Sequence, residues 1–223
     1  MAALLTVDNL SHRYNAQVSL SFASFAVTSG ELLLVRGPSG CGKSTLLHLL
    51  GGVIPIGSNA GAAVIDGQAL TALTGAERDA LRPFVVGWMP QRHSMINSIS
   101  VLDNVLLPVA LARKVMAADR ARAVDLLRAL DIEALATRRP AEISVGQSAR
   151  VNLARALVTQ PKLLLADEPT AALDDESVVA VASQLSAYVH GGGCALVASH
   201  DARLRERLLA ALGTRMSERD ASQ

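Results

Sequence analysis

The order of apolar and polar residues divides the chain into a β-rich start, a helical middle and an end in which strands and helices alternate. Apolar residues alternate with polar ones over residues 4–10 and 18–27, which predicts half-buried strands. The apolar run 32–35 predicts a further strand. Another short strand is predicted at residues 64–65, before the turn signal Asp66-Gly67.

Helical spacing dominates the middle of the chain. Thr74 and Glu77 match a capping box that would open a short helix. Residues 84–89 then predict a strand. Over residues 100–132 apolar side chains recur every three or four positions, which predicts helices with one buried face.

The last third of the chain returns to alternating elements. We expect a helix over residues 148–157, a buried strand at 163–166, a helix over 178–188 and a last strand at 195–198, followed by a polar, frayed tail beyond Gly213. Alternation of this kind predicts a mainly parallel sheet with helices on its faces. The expected fold class is therefore α/β, with an antiparallel β part at the N-terminus and an inserted helical subdomain.

Composition narrows the class of protein. A chain of 223 residues can bury one sizeable core and carry an inserted subdomain. Its 21 Lys and Arg residues nearly balance 20 Asp and Glu residues, and aromatic residues make up only 3%, so neither charge nor stacking points to nucleic acid as a partner. No apolar stretch is long enough to cross a bilayer, and the N-terminus lacks a basic region before its apolar residues, which predicts a cytoplasmic protein. Cys41 and Cys194 are far apart, which argues against a disulfide framework or a zinc cluster.

The most informative segment is 37–45, Gly-Pro-Ser-Gly-Cys-Gly-Lys-Ser-Thr, which matches G-x-x-x-x-G-K-[ST] between a predicted strand and an apolar helix. Glycines let consecutive backbone N–H groups turn toward a phosphate, and the helix N-terminus adds a partial positive charge. Lys43 is then expected to reach the β- and γ-phosphates, and Ser44 to bind Mg²⁺. The sequence thus predicts a P-loop NTPase core that binds ATP and Mg²⁺.

A second acidic motif belongs to the same expected site. The aliphatic run 163–166 is followed by two carboxylates, Asp167 and Glu168, and core packing does not require that ending. At the carboxyl edge of a parallel sheet, where α/β folds bind ligands, Asp167 would orient Mg²⁺ or its waters. A carboxylate beside a triphosphate is costly unless a metal offsets it, which favours Glu168 as the general base or water-positioning group.

A second cradle for an anion is predicted where Ser144-Val145-Gly146-Gln147 opens a helix. At this point the chain resembles the ATP-binding-cassette (ABC) family, whose signature reads Ser-Gly-Gly-Gln. The resemblance covers nearly the whole chain in the expected order: an adenine-stacking aromatic at Tyr14, a Q-loop glutamine at Gln91, a D-loop at residues 171–174 and a switch histidine at His200.

In this family two nucleotide-binding subunits pack head to tail and hold ATP between the phosphate loop of one and the signature of the other. The resemblance implies that Glu168, His200 and Gln91 are catalytic, and that Ser44, Gln91 and Asp167 hold the metal. The residues expected to contact the nucleotide are Tyr14, Gly37, Pro38, Ser39, Gly40, Cys41, Gly42, Lys43, Ser44, Thr45, Ser144, Gly146, Gln147 and Asp174.

The resemblance also implies a domain plan. One ABC ATPase domain would span residues 1–223, with residues 1–91 and 159–223 as the core and residues 92–158 as the helical signature subdomain. A groove near residues 92–111 would receive a short helix from a membrane permease.

The expected function is therefore that of the ATPase subunit of a transport complex, a homodimer bound to its permease on the cytoplasmic face of the membrane. Segment 101–108 is most similar to the lipoprotein-release and macrolide-efflux branch. One alternative is a regulatory or mechanical ABC ATPase that drives a membrane protein without moving a solute. Another is a small-molecule kinase, which would have no use for the signature at residues 144–147.

Two features depart from the family pattern. Val145 stands where the signature has glycine, and a β-branched residue tolerates positive φ badly and adds bulk. Either the backbone is ordinary there or closure is weaker. After His200 the chain lacks a clear closing strand, so we expect a trimmed edge of the sheet.

Overall fold

The computed structural model describes residues 2–92, 95–171 and 173–221, without the side chains of residues 78–82. The strands are β1 (Ala3–Asp8), β2 (Leu10–Arg13), β3 (Ser19–Phe22), β4 (Phe25–Thr28), β5 (Leu32–Arg36), β6 (Ala62–Ile65), β7 (Gln68–Ala69), β8 (Val86–Met89), β9 (Leu163–Asp167), β10 (Cys194–Ala198) and β11 (Met216–Asp220). The helices are α1 (Lys43–Leu50), α2 (Gly75–Val85), α3 (Val101–Ala112), α4 (Ala117–Ala129), α5 (Val145–Leu157), α6 (Asp175–His190) and α7 (Ala202–Leu212). Short 3-10 helices lie at Glu133–Leu135, Pro140–Glu142 and Gly213–Arg215.

A five-stranded sheet in the order β11-β5-β10-β9-β8 forms the centre of the fold, and its neighbouring strands are parallel. Leu32 and Leu34 of β5 belong to the hydrophobic core on one side of this sheet, whereas Leu33 and Val35 belong to the core on the other side. Strands buried on both faces need apolar residues throughout, which explains the unbroken run. The α/β fold class with a mainly parallel sheet is confirmed.

The N-terminal part is antiparallel, as expected. Strands β4, β1, β6 and β7 form a second sheet, and β2 pairs with β3 in a hairpin. Leu20 and Phe22 of the hairpin lie against Gly42, where a Cβ would come within 3.0 Å of Leu20 and 3.3 Å of Phe22. The hairpin therefore covers the start of α1.

Helices α3, α4 and α5 pack together on the other side of the parallel sheet. Val105, Leu127 and Leu153, one from each helix, are fully buried in their shared core. Ser100 caps α3 by accepting a hydrogen bond from the backbone N–H of Asp103 at 3.1 Å. Because α5 also packs against β8 and α6, the proposed subdomain boundaries at 92 and 158 stay a prediction.

The end of the chain differs from the expectation. Residues 214–221 are not frayed: β11 runs parallel to β5 and forms an edge of the main sheet, so residues 195–198 are not the last strand. Residues 222 and 223 lie outside the described part of the chain. Met216 and Ala221 are buried at 8% and 5% exposure and hold the ends of β11. Strand β11 was not predicted because the residues between Met216 and Ala221 are polar. An edge strand can expose its side chains and still pair its backbone.

Two element bounds also differ. Residues 84–85 end α2 instead of starting a strand, so β8 begins at Val86. Helix α5 begins at Val145, three residues before the expected start, because Ser144 caps it. The capping box of Thr74 and Glu77 is present, with both reciprocal hydrogen bonds formed. In the described part of the chain, no helix combines the length and the apolar character needed to cross a membrane.

Candidate nucleotide site

The loop predicted to bind phosphate joins β5 to α1. Its glycines take positive φ values, 140° at Gly37, 82° at Gly40 and 103° at Gly42, which residues with a Cβ rarely adopt. A Cβ at Gly37 would also lie 2.7 Å from Sγ of Cys41. Glycine at these positions permits the tight turn at a helix N-terminus that a bound phosphate requires.

The ammonium group of Lys43 lies inside this loop. Its Nζ donates hydrogen bonds to the carbonyl oxygens of Gly37 at 2.7 Å and Pro38 at 3.1 Å, and the residue is only 8% exposed. Pro38, Ser39 and Gly40 form the exposed tip of the loop. A cation is therefore already held where a phosphate would bind, and the phosphate would compete with these carbonyls for it.

Asp167 ends β9 and faces the first turn of α1. Its side chain receives a hydrogen bond from Ser44, while its buried Oδ1 has no hydrogen-bond partner among the described residues. Burial is the main reason that the pKa of Asp167 is raised; the hydrogen bond from Ser44 opposes the shift, and the charge of Glu168 adds to it.

A divalent cation would satisfy Oδ1 of Asp167 and offset the two neighbouring carboxylates, so these residues fit Mg²⁺. Within residues 2–92, 95–171 and 173–221, no group of three or more His, Cys, Asp or Glu residues could hold a metal by itself. The ion would therefore share its coordination sphere with phosphate oxygens and water, as Mg²⁺ usually does.

Glu168 follows Asp167 and is held by the segment after β10. Its Oε1 lies 2.7 Å from Nδ1 of His200. Its Oε2 accepts hydrogen bonds from Oγ of Ser199 at 3.1 Å and from the backbone N–H of His200 at 3.3 Å. Glu168 has a φ of 48°, unusual for a residue with a Cβ, and is 6% exposed. The fold thus holds a carboxylate in a fixed orientation beside Asp167.

Tyr14 lies next to the same loop. Its hydroxyl is 2.8 Å from Oγ1 of Thr45, which ties the β2–β3 hairpin to the first turn of α1. The ring packs edge-on against His12 and remains 53% exposed. An exposed aromatic face beside a phosphate-binding loop can stack on a base.

Gln91 stands at the adjoining edge of the site. It follows β8, whose Met89 pairs in register with Ala166 of β9, and it is exposed. Because the two strands are parallel, Gln91 lies at the same carboxyl edge of the sheet as Asp167. His93 and Ser94, within the segment expected to form the groove, lie outside the described residues.

The signature residues lie elsewhere on the chain. Ser144 and Gln147 form a capping box at the start of α5, with reciprocal hydrogen bonds of 3.2 and 2.9 Å. Gly146 lies against α6, because a Cβ there would come 3.1 Å from Oγ of Ser177. Asp174 caps α6 by accepting from the backbone N–H of Ser177 at 2.8 Å. The N-termini of α5 and α6 are therefore neighbours, and no hydrogen bond of the described residues joins them to the phosphate-binding loop.

The backbone at Val145 is ordinary, which was the first of the two possibilities raised by the sequence. It is the first residue of α5, is not among the residues with positive φ, and is 62% exposed. Its side chain meets no steric conflict in this chain, so any effect of the missing glycine concerns what binds against that surface.

The residues that support Glu168 were not predicted from the sequence. Asp201 caps α7, accepts a hydrogen bond from Thr170 at 2.9 Å and donates its backbone N–H to Ser199 at 3.1 Å. Arg203 binds the other side of Asp201. The only signal in the sequence was the Ser-His-Asp run at 199–201, which indicates a helix cap.

Comparison with known proteins bears directly on this geometry. The family model described as ABC transporter matches residues 20–171, which is more than half of the chain. The chain belongs to the ABC transporter family. As an ABC ATPase cassette it binds ATP with Mg²⁺ and hydrolyses ATP. The matched segment contains the phosphate-binding loop, the signature and the two carboxylates that end β9.

Two solved structures of another cassette, MJ0796, are similar to this one over 98% of this chain and 95% of that chain. One, described as a dimeric post-hydrolysis state bound to ADP and Pi, has a TM-score of 0.83 and 28% identity. The other, described as the dimeric structure of a bacterial ABC transporter cassette, has a TM-score of 0.83 and 27% identity. The fold of this cassette is therefore shared along nearly its whole length.

Proposed function

We propose that this cassette is the ATP-hydrolysing subunit of a membrane transport complex and that two copies close around ATP. The observation that carries the proposal is the division of the motifs within one chain. Lys43, Asp167 and Glu168 gather at the carboxyl edge of the parallel sheet, whereas Ser144 and Gly146 lie at the N-terminus of α5 beside α6. A second copy would complete each site.

Each motif then has a role in hydrolysis. Lys43 and the backbone N–H groups of residues 37–45 bind the phosphates, and the ring of Tyr14 stacks on adenine. Asp167, Ser44 and Gln91 would hold Mg²⁺, and the ion would supply positive charge that offsets the charge of the phosphates. The same segment also contacts the nucleotide through Pro38, Ser39, Cys41 and Thr45.

Glu168 orients the attacking water and accepts its proton. His200 contacts the γ-phosphate, as do Ser144 and Gly146 of the opposite copy, with Gln147 and Asp174 completing the seam. Loss of the γ-phosphate removes the charge that bridges the copies, which favours opening.

Support for pairing comes from the comparisons. Both MJ0796 structures are described as dimeric, and one is bound to ADP and Pi. The exposed Val145 lies at the N-terminus of α5, which has no acidic residue in its first turn, so the partial positive charge of that helix end favours an anion held by another copy.

Support for a permease comes from an apolar groove between α3, β8 and α5. It has a volume of about 510 Å³, and Leu111 on its rim is 80% exposed. The lining residues are Pro83, Val86, Gly87, Trp88, Leu107, Pro108, Leu111, Arg155, Ala156 and Thr159. A short amphipathic helix of a membrane subunit would bury its apolar face here, which would place the cassette at the cytoplasmic face of the membrane. The similarity to MJ0796 is compatible with the lipoprotein-release and macrolide-efflux branch.

Pairing is tested by light scattering of the Glu168→Gln variant, which should bind ATP and hydrolyse it slowly. We expect a dimer with ATP and Mg²⁺ and a monomer with ADP. Lys43→Ala in the same background should stay monomeric because it binds nucleotide weakly. A variant that is saturated with ATP and still monomeric contradicts pairing.

The membrane role is tested by identifying the subunit that co-purifies with the chain and reconstituting both in liposomes. ATP-dependent solute flux or lipid extraction supports transport. ATP-dependent conformational change without flux instead supports the regulatory or mechanical role. The exchange Leu111→Asp should release the membrane subunit while leaving nucleotide binding intact.

A further inference from the structure

Arg203, in the first turn of α7, joins two loops of the nucleotide site through its guanidinium group. Nε and Nη2 donate to the two carboxylate oxygens of Asp201 at 3.1 and 2.9 Å. Nη1 donates to the carbonyl oxygen of Leu173 at 3.2 Å and to Oδ1 of Asp175 at 2.7 Å. Two parallel bonds to one carboxylate, with a further nitrogen left for a carbonyl, require the planar fork of arginine.

The partner of this guanidinium is itself linked to Glu168. Asp201, whose side chain is 13% exposed, donates its backbone N–H to Oγ of Ser199 at 3.1 Å. The same Oγ donates to Oε2 of Glu168 at 3.1 Å. Oδ2 of Asp201 also accepts from Oγ1 of the fully buried Thr170 at 2.9 Å. Arg203 is therefore linked to the carboxylate of Glu168 through the side chain and the backbone N–H of Asp201 and through Oγ of Ser199.

The turn between β9 and α6 is held at both of its ends by this network. Thr170 is bound to Asp201, and Leu173 is bound to Arg203. Asp174, which follows directly, is the residue expected to face the second subunit. Any displacement of the turn by that subunit must therefore act on the N-terminus of α7.

Stability gives a weak reason for the bond to Asp175, whereas the bidentate pair with the largely buried Asp201 also stabilises the start of α7. The side chains of Arg203 and Asp175 are 43% and 78% exposed, and exposed ion pairs contribute about 0–1 kcal/mol. The hydrogen bond from Arg203 to the carbonyl oxygen of Leu173 mainly fixes the orientation of that carbonyl. Together these hydrogen bonds fix the turn between β9 and α6 relative to the start of α7.

We propose that Arg203 is a positioning residue for ATP hydrolysis, which fixes the turn between β9 and α6 relative to Ser199 so that the carboxylate of Glu168 keeps its orientation. This inference rests on the proposed role of Glu168. Contact of the second subunit with Asp174 is passed through Arg203 and Asp201 to Ser199.

The test compares steady-state ATPase kinetics and calorimetric ATP affinity of the full chain with those of variants. Arg203→Ala should lower kcat by roughly 10-fold, since small misplacements of catalytic groups cost about that much or more. KM and the ATP affinity should stay within about twofold, because no phosphate contact is lost. Arg203→Lys keeps the charge but not the fork and should recover part of kcat. Arg207→Ala, one turn further along α7, is the matched control and should behave as wild type.

A milder variant guards against loss of folding. Asp175→Asn removes the charge of one exposed partner and weakens its bond to Arg203, so it should lower kcat by about twofold to fivefold, with an unchanged melting temperature. In the double variant with Arg203→Ala the effects should not add, because both changes break the same support. Additive effects overturn the proposal.

Two other results would overturn it as well. One is a kcat for Arg203→Ala equal to that of Arg207→Ala. The other is a parallel loss of kcat, ATP affinity and melting temperature that lysine does not restore. Glu168→Gln assayed alongside separates the hypotheses: if it keeps wild-type turnover, the proposed role of Glu168 fails, whereas an inactive Glu168→Gln with a normal Arg203→Ala removes only this inference.

Discussion

The imidazole Nδ1 of His200 lies 2.7 Å from Oε1 of Glu168, so the side chain proposed to sense the γ-phosphate is bound to the proposed general base of its own chain. An ionised carboxylate only accepts hydrogen bonds, so Nδ1 carries the proton in this contact. A neutral ring then has no hydrogen on Nε2. For Nδ1 to donate to a phosphate, His200 must turn away from Glu168, which would free Oε1 for water.

Replacing Glu168 by glutamine tests the general base. The amide keeps the size of the side chain but cannot take a proton, so we expect ATP turnover to fall about 10²-fold or more, as for loss of a general base. ATP affinity measured by calorimetry should change little. Glu176→Gln, in the first turn of α6, is a matched exchange of the same residue type and should retain turnover. Wild-type turnover of Glu168→Gln in the complete complex rules out the assigned role.

Asp167 should make the nucleotide-free protein less stable as pH rises. Its pKa is raised above 3.8 in the folded chain, so the unfolded chain loses this proton first and stability falls between pH 3.8 and the raised value. Asp167→Asn removes that loss and should melt higher at pH 7 but not below pH 3.8; about 1 kcal/mol corresponds to roughly 2–4 °C. Mg²⁺ and ATP should reverse the order by stabilising wild type more. A lower melting temperature of the variant at pH 7 without ligand contradicts this account.

The Tyr14 side chain offers a matched pair of substitutions. Tyr14→Phe keeps the ring and loses only the contact with Thr45, so ATP affinity should stay within about twofold of wild type. Tyr14→Ala removes the stacking surface, which is worth about 1–3 kcal/mol per base in nucleic-acid complexes, and should weaken ATP binding about 5-fold or more. Calorimetry with ATP measures both. Equal affinities of the two variants would rule out stacking.

The thiol of Cys41 should make the ATPase sensitive to alkylation. Its Sγ packs against Gly37 and lies 3.9 Å from Nζ of Lys43, so an added group would fill the loop. We expect loss of activity on alkylation and slower labelling when ATP is present. Cys41→Ser should resist inhibition, while the fully buried Cys194 provides the background labelling rate. Labelling rates that do not depend on nucleotide contradict the prediction.

Restoring glycine at position 145 should have a small effect. Val145 has ordinary helical backbone and points to the surface, so Val145→Gly relieves no strain. We expect ATPase activity within about twofold of wild type, because the proposed phosphate contacts come from Ser144 and Gly146. A tenfold rise in turnover would instead indicate that the valine limits closure against the second copy.

Local patterns account for much of the fold and of the candidate site. The run 32–35 predicted a strand, which is present and buried on both faces, and the glycines of segment 37–45 predicted a tight loop, in which the structure has positive φ values. The local patterns predicted a frayed tail where β11 lies. That prediction is wrong because the backbone pairing of an edge strand with β5 does not depend on its apolar content. They also missed Arg203, whose partners come from two other segments of the chain.

The sequence by itself determined the phosphate-binding loop, the paired carboxylates after an aliphatic strand, and the order of motifs, since each depends on residue types at fixed short spacing. Only the tertiary structure decided that Lys43 binds its own loop, that His200 holds Glu168, and that Arg203 links the turn before α6 to the start of α7. The contacts of His200 and Arg203 join residues 32 and 30 positions apart, while those of Lys43 depend on how its loop turns. Their geometry follows from how the strands and helices pack, which no local pattern encodes.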